Sequence, residues 1–356
     1  MKSDLALLRV VLLIIPLFSV SCSGTNSTDA IPSPSSSPSP SSQSEEDKGY
    51  LSFVFNMDNT LKTYVTCSIG ENGIVCDSPS QPIPTFHSYR VYNNFEKSQI
   101  MRISRLDNGC FTSLPTSEEG VVDWLTPFNT DNCRYSLRFF AGTSTSGQPA
   151  FDLGEAGSSK DSVLSGLFPF LSTYSMTFTN TKLTGPCDQT AILEVPAGGK
   201  RTDTIPEGSM AFSTLFSLEA DQSMLSQATA SRSSDFTFKF HPAMDTSAVP
   251  AGSEDALVQK LSQNLGDFVL LKVSSQNQNT VYCKAPDAVT GSVTIPQSFM
   301  AKLDGSTGFN ITRYKINKLI LSPKVEFLII TKVGMYTTST DAWGQDGGSV
   351  NIWVGN

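Results

Sequence analysis

Asp267–Ile295 reads DFVLLKVSSQNQNTVYCKAPDAVTGSVTI, and its pattern decides the fold class. Apolar and β-branched residues fill three short runs: Asp267–Ser274 (DFVLLKVS), Asn279–Lys284 (NTVYCK) and Gly291–Ile295 (GSVTI). Between them lie Gln, Asn, Pro, Asp and Gly, the residues of turns. Runs of this length and spacing are strands. Working outward, Asp235–Phe240 (DFTFKF) alternates strictly before His241-Pro242 turns the chain. Phe309–Leu321, Val325–Met335 and Ser349–Val354 complete the strands of this half. Ser253–Leu265 differs, with Ala256, Leu257, Leu261 and Leu265 near helical spacing, Ser253 at the N-cap and Gly266 as the stop.

The first half repeats the strand pattern more loosely. Tyr50–Met57 alternates and runs into an Asp58-Asn59 turn, while Thr63–Ile69 and Gly73–Cys76 flank a Gly70-Glu71-Asn72 hairpin loop. Tyr89–Tyr92, Gln99–Ser104, Gly120–Leu125, Tyr135–Phe140 and Tyr174–Thr179 are expected strands. Helical patterning is otherwise confined to Asp161–Leu167 and Gly208–Leu225. Many strands without alternating helices predict an all-β protein of two antiparallel β-sandwich domains, 49–185 and 186–356.

The segment before these domains predicts export. Lys2 and Arg9 give a basic start, and Val10–Val20 is an uncharged apolar run. It is shorter than the ~20 residues that span a bilayer and suits a signal peptide over 1–21. Ser19-Val20-Ser21-Cys22 is similar to a bacterial lipobox, with Ser19 where Leu is usual. The resemblance implies lipid attachment at Cys22, and Ser23 in place of Asp implies the outer membrane or cell surface. Parity agrees: of seven cysteines, removing Cys22 leaves six that can pair fully in an oxidising compartment. The competing reading is plain secretion with cleavage before Cys22.

Ser23–Lys48 is Pro/Ser-rich and too poor in apolar residues to offset the entropy of ordering. It predicts a disordered tether over 22–48, reaching at most ~80 Å at ~3.1 Å per residue. A glycosylated stalk is the alternative, with sequons at Asn26-Ser27-Thr28 and Asn310-Ile311-Thr312.

The second half resembles a module of uncharacterised exported bacterial lipoproteins. The resemblance rests on DFTFKF, DFVLLKV and VYCKAPDAVTGSVTIPQSFMAKL, with Ile295, Pro296 and Met300 in an IP-x-x-x-(M/L) segment. FDLGEAG at Phe151–Gly157 has a similar look. It implies an immunoglobulin-like fold and assigns no activity.

Six cysteines allow fifteen pairings. The simplest is sequential: Cys67–Cys76 across a hairpin, Cys110–Cys133, and Cys187–Cys283. The last closes a loop of roughly 96 residues, worth ~4–5 kcal/mol in the chain-entropy model. Without Cys-x-x-Cys or zinc-type spacing, structural disulfides are expected and a metal is not.

Charge and motifs narrow the function. With 25 basic and 33 acidic residues the net charge is −8, which argues against nucleic acid as partner. The two histidines, His87 and His241, sit in no triad, P-loop or metalloprotease motif. Carboxylate catalysis leaves little sequence mark; Glu118-Glu119 with Asp123, Asp152 with Glu155, and Asp341 with Asp346 are its candidates. The Asp341–Gly348 loop (DAWGQDGG) offers Trp343 for sugar stacking and Asp341 and Asp346 as binding residues, without the rhythm of a calcium loop. The balance predicts a non-enzymatic, cofactor-free envelope lipoprotein, held to the membrane by its lipid and displaying β-sandwiches to a protein or glycan ligand. A secreted glycosidase-like hydrolase and a carbohydrate-binding module are the alternatives.

Overall fold

The computed structural model describes residues 51–59, 65–71, 73–77, 85–93, 95–118, 122–123, 135–142, 146–147, 151–155, 174–180, 200–206, 215–245, 252–322, 325–335 and 349–356. The expected signal peptide and tether, Cys133, Cys187 and residues 341–348 lie outside them. So does the helix expected at Asp161–Leu167.

In chain order, the first strands are β1 (Leu51–Asn59), β2 (Val65–Gly70), β3 (Gly73–Asp77) and β4 (Thr85–Asn93). A 3-10 turn at Phe95–Lys97 leads into α1 (Gln99–Arg105). Then come β5 (Gly109–Phe111), β6 (Val122–Asp123), β7 (Tyr135–Ala141), β8 (Phe151–Glu155), β9 (Tyr174–Asn180) and β10 (Lys200–Ile205). β11 (Leu218–Ala220), α2 (Gln222–Leu225), β12 (Thr229–Ser231), β13 (Phe236–Pro242) and β14 (Met244–Asp245) follow. The chain continues through α3 (Glu254–Ser262), β15 (Phe268–Ser275), β16 (Thr280–Ala285), β17 (Gly291–Ile295) and α4 (Gln297–Met300). It closes with β18 (Gly305–Ser322), β19 (Val325–Val333) and β20 (Val350–Gly355).

The protein is mostly β, and its main sheet is mixed. Ten strands join in the order β5-β16-β15-β18-β19-β1-β4-β6, with β20 on β18 and β12 on β20. β1 pairs with β19 in parallel, Leu51 opposite Val325 through Asn59 opposite Val333. β12 with β20 and β14 with β2 are also parallel, which corrects the expectation of purely antiparallel sheets. The physical reason is burial: β19 (VEFLIITKV) is an apolar run buried on both faces, as a strand inside a covered sheet must be. The sheet draws strands from both sides of the 185/186 boundary expected from sequence.

The core lies between the inner face of this sheet and the three-stranded sheet β11-β13-β17. Alternation puts Phe236, Phe238 and Phe240 of β13 inward, with Val293 and Ile295 of β17 beside them. Phe238 stacks on Phe309 of β18 at 5.9 Å between centroids and Phe236 tilts against it at 5.0 Å. Such pairs contribute ~0.5–1.5 kcal/mol beyond burial. Gly291 is needed opposite Phe240, because a Cβ there would stand 2.6 Å from the ring. β13 runs through His241 and Pro242, so the turn expected there is not formed.

Residues 99–105 form a helix and not the expected strand. Met101 packs with Val54, Phe95, Leu328 and Ile330, and Ile103 with Phe268 and Leu270, so α1 needs apolar contacts on more than one side. α3 confirms the helix within Ser253–Leu265, burying Leu257 and Leu261, but Ser253 makes no side-chain cap. Gly266 is not a helix stop: its amide donates to Asp287, and a Cβ there would meet Arg313 Cγ at 2.9 Å.

Two disulfides are formed among the described residues. Cys67–Cys76 closes the β2–β3 hairpin as expected, the two residues being register partners. Cys110 bonds Cys283, which corrects the expected Cys110–Cys133 and Cys187–Cys283 pairs. The reason is topological: β5 lies against β16 with Cys110 directly opposite Cys283, so proximity in the sheet overrides proximity in sequence.

Candidate functional site

The candidate residues read from sequence are placed unevenly. Cys22, Trp343, Asp341 and Asp346 lie outside the described residues. Glu118 is exposed and pairs with Arg102 at 3.5 Å. Asp152 lies on β8 opposite Arg138 of β7, and Glu155 opposite Ser136. His87 lies on β4 and His241 on β13.

Three charged clusters, none of them flagged by a motif, emerge instead. The deepest is Arg313 with Asp287, side chains 0% and 1% exposed. β18 alternates, placing Thr307, Phe309, Ile311 and Arg313 on its buried face. A guanidinium at such a position requires a carboxylate and further acceptors. Nη2 donates to Asp287 Oδ1 at 3.0 Å and Ala288 O at 3.2 Å, and Nη1 to Phe216 O at 2.7 Å. Nε lies 2.6 Å from Asp287 Oδ2 but out of line for a hydrogen bond, so that contact is an ion pair by distance alone. The Phe216 ring stacks 3.8 Å from the guanidinium carbon. Burial lowers the arginine's proton affinity and Asp287 opposes that shift. With Nη1, Nη2 and both Asp287 oxygens hydrogen-bonded within the protein, this pair is a clamp joining β18, the 286–290 loop and Phe216.

The second cluster ties the first half to the sheet. Glu326 of β19 is buried and accepts from its register partner Ser52 at 2.5 Å and from Lys318 at 2.7 Å. Lys318 also pairs with Glu96, which pairs in turn with Arg105 of α1. Nearby, Lys284 of β16 donates to Ser104 O at 2.7 Å and Leu106 O at 2.5 Å, capping the last carbonyls of α1. Desolvation lowers its proton affinity, and Asp107 raises it.

The third cluster holds Glu219 and His241, register partners on β11 and β13. Oε1 of Glu219 lies 3.6 Å from Nδ1 of His241, which also contacts Pro242 O at 3.0 Å. Burial pushes the Glu219 carboxyl above the usual carboxylate range and His241 pulls it back. Asp221, two residues on, caps α2 by accepting from the Ser223 amide at 2.9 Å, and hydrogen bonds from Ser223 hold it below the usual range. In this pair a carboxylate meets an imidazole, with each side chain about a third exposed. A nucleophile or a third orienting group is not among the contacts the two residues make.

Among the described residues, no group of three His, Cys, Asp or Glu side chains is placed to hold a metal ion. No helix described is long and apolar enough to cross a membrane. Compared with known proteins, the chain matches no family model, no curated protein and no solved structure.

Proposed function

We propose that the chain is an envelope lipoprotein, moored through Cys22, whose tether holds a disulfide-stapled β body off the membrane for binding or assembly. The observation that carries the reading is the pair of disulfides, Cys67–Cys76 and Cys110–Cys283. Bonds of this kind persist in oxidising compartments, where the basic, apolar segment ending at Cys22 would deliver the chain. The Pro/Ser-rich stretch that follows is the composition of a spacer.

The charged clusters support display over catalysis. Arg313–Asp287, Glu326–Lys318 and Lys284 spend their polar atoms on backbone and on each other. The test is metabolic labelling with an alkynyl palmitate analogue. Wild-type protein takes up label and Cys22→Ser does not; label persisting in the variant refutes attachment at Cys22.

A further inference from the structure

From the unpaired stretch of β18, we infer a homodimer in which two copies of the chain add strand to strand along Ile316–Ile320. β18 runs from Gly305 to Ser322. One side of it pairs with β20 and then, from Arg313 to Ser322, with β19. The other side pairs with β15 only as far as Tyr314. Beyond Tyr314, no strand among the described residues takes up that side. β10 approaches β18, yet its ladder is with β9.

Alternation fixes which groups face the open side. Tyr314 O accepts from the Asp267 amide at 2.7 Å, and the Ile316 amide donates to Asp267 Oδ2 at 2.7 Å. Asp267 therefore ends the β15 ladder as a side-chain cap. With the period of two along a strand, the amides and carbonyls of Lys318 and Ile320 point the same way. Such a row of main-chain donors and acceptors is a template for another strand. Proline or a projecting charge blunts an edge of this kind. Residues 316–321 hold no proline, and Lys318 is folded back onto Glu96 and Glu326. Ile320 is 66% exposed, more than any other large apolar side chain among the described residues.

Self-complementarity chooses the occupant. An antiparallel pair of these edges about a two-fold axis at Lys318 would set like charges opposite one another, which is destabilising. An axis at Asn317 would carry the second strand onto Tyr314, whose carbonyl the Asp267 amide already takes. An axis at Leu319 sets Lys318 opposite the second copy's Ile320, and Ile320 opposite its Lys318. Each of these pairs exchanges both main-chain hydrogen bonds, and the lysine methylenes cover the exposed isoleucine. On the other face the half-buried Leu319 meets its own copy in a non-hydrogen-bonded pair, where side chains come closest. The contact is isologous and closed, and it continues the ten-stranded sheet of one copy into the other. It does not depend on lipid attachment at Cys22, so the two readings fail separately.

The experiment is photo-cross-linking of the full chain in detergent, with micelles in large excess so that copies do not share one by chance. Unlabelled and heavy-nitrogen-labelled chains, each with p-benzoylphenylalanine at position 320, are mixed and irradiated. Mixed-isotope adducts from position 320 to residues 316–320 of the second copy are expected. Sedimentation velocity of the wild type in the same micelles shows a concentration-dependent monomer–dimer step. Ile320→Pro removes an amide that faces the open side and no bond of its own sheet; it weakens dimerisation at least ~10-fold. Ile320→Lys sets a like charge opposite Lys318 and weakens it too, and it decides the outcome if the proline variant loses its near-ultraviolet circular dichroism. Adducts confined to one isotope or lying elsewhere overturn the interface. So does a wild type that stays monomeric, or variants that dimerise as well as the wild type.

Discussion

Cys110 and Cys283 stand opposite each other on β5 and β16 and are bonded across 173 residues of chain. That one link fastens a short edge strand from the first half of the sequence to the sheet of the second. In the chain-entropy model a loop of this length is worth about 5 kcal/mol, against about 2.5 kcal/mol for the nine-residue Cys67–Cys76 loop. Cys110→Ala/Cys283→Ala therefore costs more stability than Cys67→Ala/Cys76→Ala in urea denaturation. Non-reducing peptide mapping yields both links; a Cys110–Cys133 peptide contradicts the pairing.

Arg313 and Asp287 form a clamp whose halves are not separately tolerable. Arg313→Met strands a buried carboxylate and costs roughly 3–5 kcal/mol. Adding Asp287→Asn leaves an acceptor for the Gly266 amide while removing the charge, and recovers at least half of the loss. Losses that simply add in the double variant show that the two residues are energetically independent.

Lys284 holds the C-terminal end of α1 from a strand about 180 residues away. Lys284→Met keeps the apolar stem and removes two charged hydrogen bonds, worth roughly 1.5–3 kcal/mol each at most. Amide exchange accelerates first in residues 99–106. Acceleration spread evenly over the sheet contradicts a local cap.

Glu219 gives a pH dependence with a definite sign. Its carboxyl is raised from 4.5 by burial, so the folded state holds its proton more tightly than the unfolded state. Its contribution to stability is full below about pH 4.5 and is lost as pH rises through the folded value. Between pH 4 and 7, the Tm of Glu219→Gln rises relative to wild type. A difference that stays flat or runs the other way shows that attraction to His241 outweighs burial.

Sequence reading succeeded where the pattern is local. Gly291–Ile295 is a strand with the expected bounds, and the runs around Val269 and Val281 are strands within a residue or two of expectation. It failed where the deciding contact is remote. Gln99–Arg105 (QIMRISR) has apolar residues at 100, 101 and 103, a spacing that suits either period. Packing against Phe268 and capping by Lys284 make it a helix. The parallel pairing of β1 with β19 joins Ser52 to Glu326, 274 residues on, and leaves no local trace. Arg313 was the missed signal: the alternation Phe309, Ile311, Arg313 places a cation on a buried face and so demands an acid nearby.

The most direct test of the anchored, displayed body is the N-terminal peptide of protein purified from envelopes, analysed by mass spectrometry. Lipid anchoring predicts that mature chains begin at Cys22, carrying a diacylglycerol thioether and an acylated amine. Mature chains that begin elsewhere, or begin at Cys22 with no added lipid mass, contradict it.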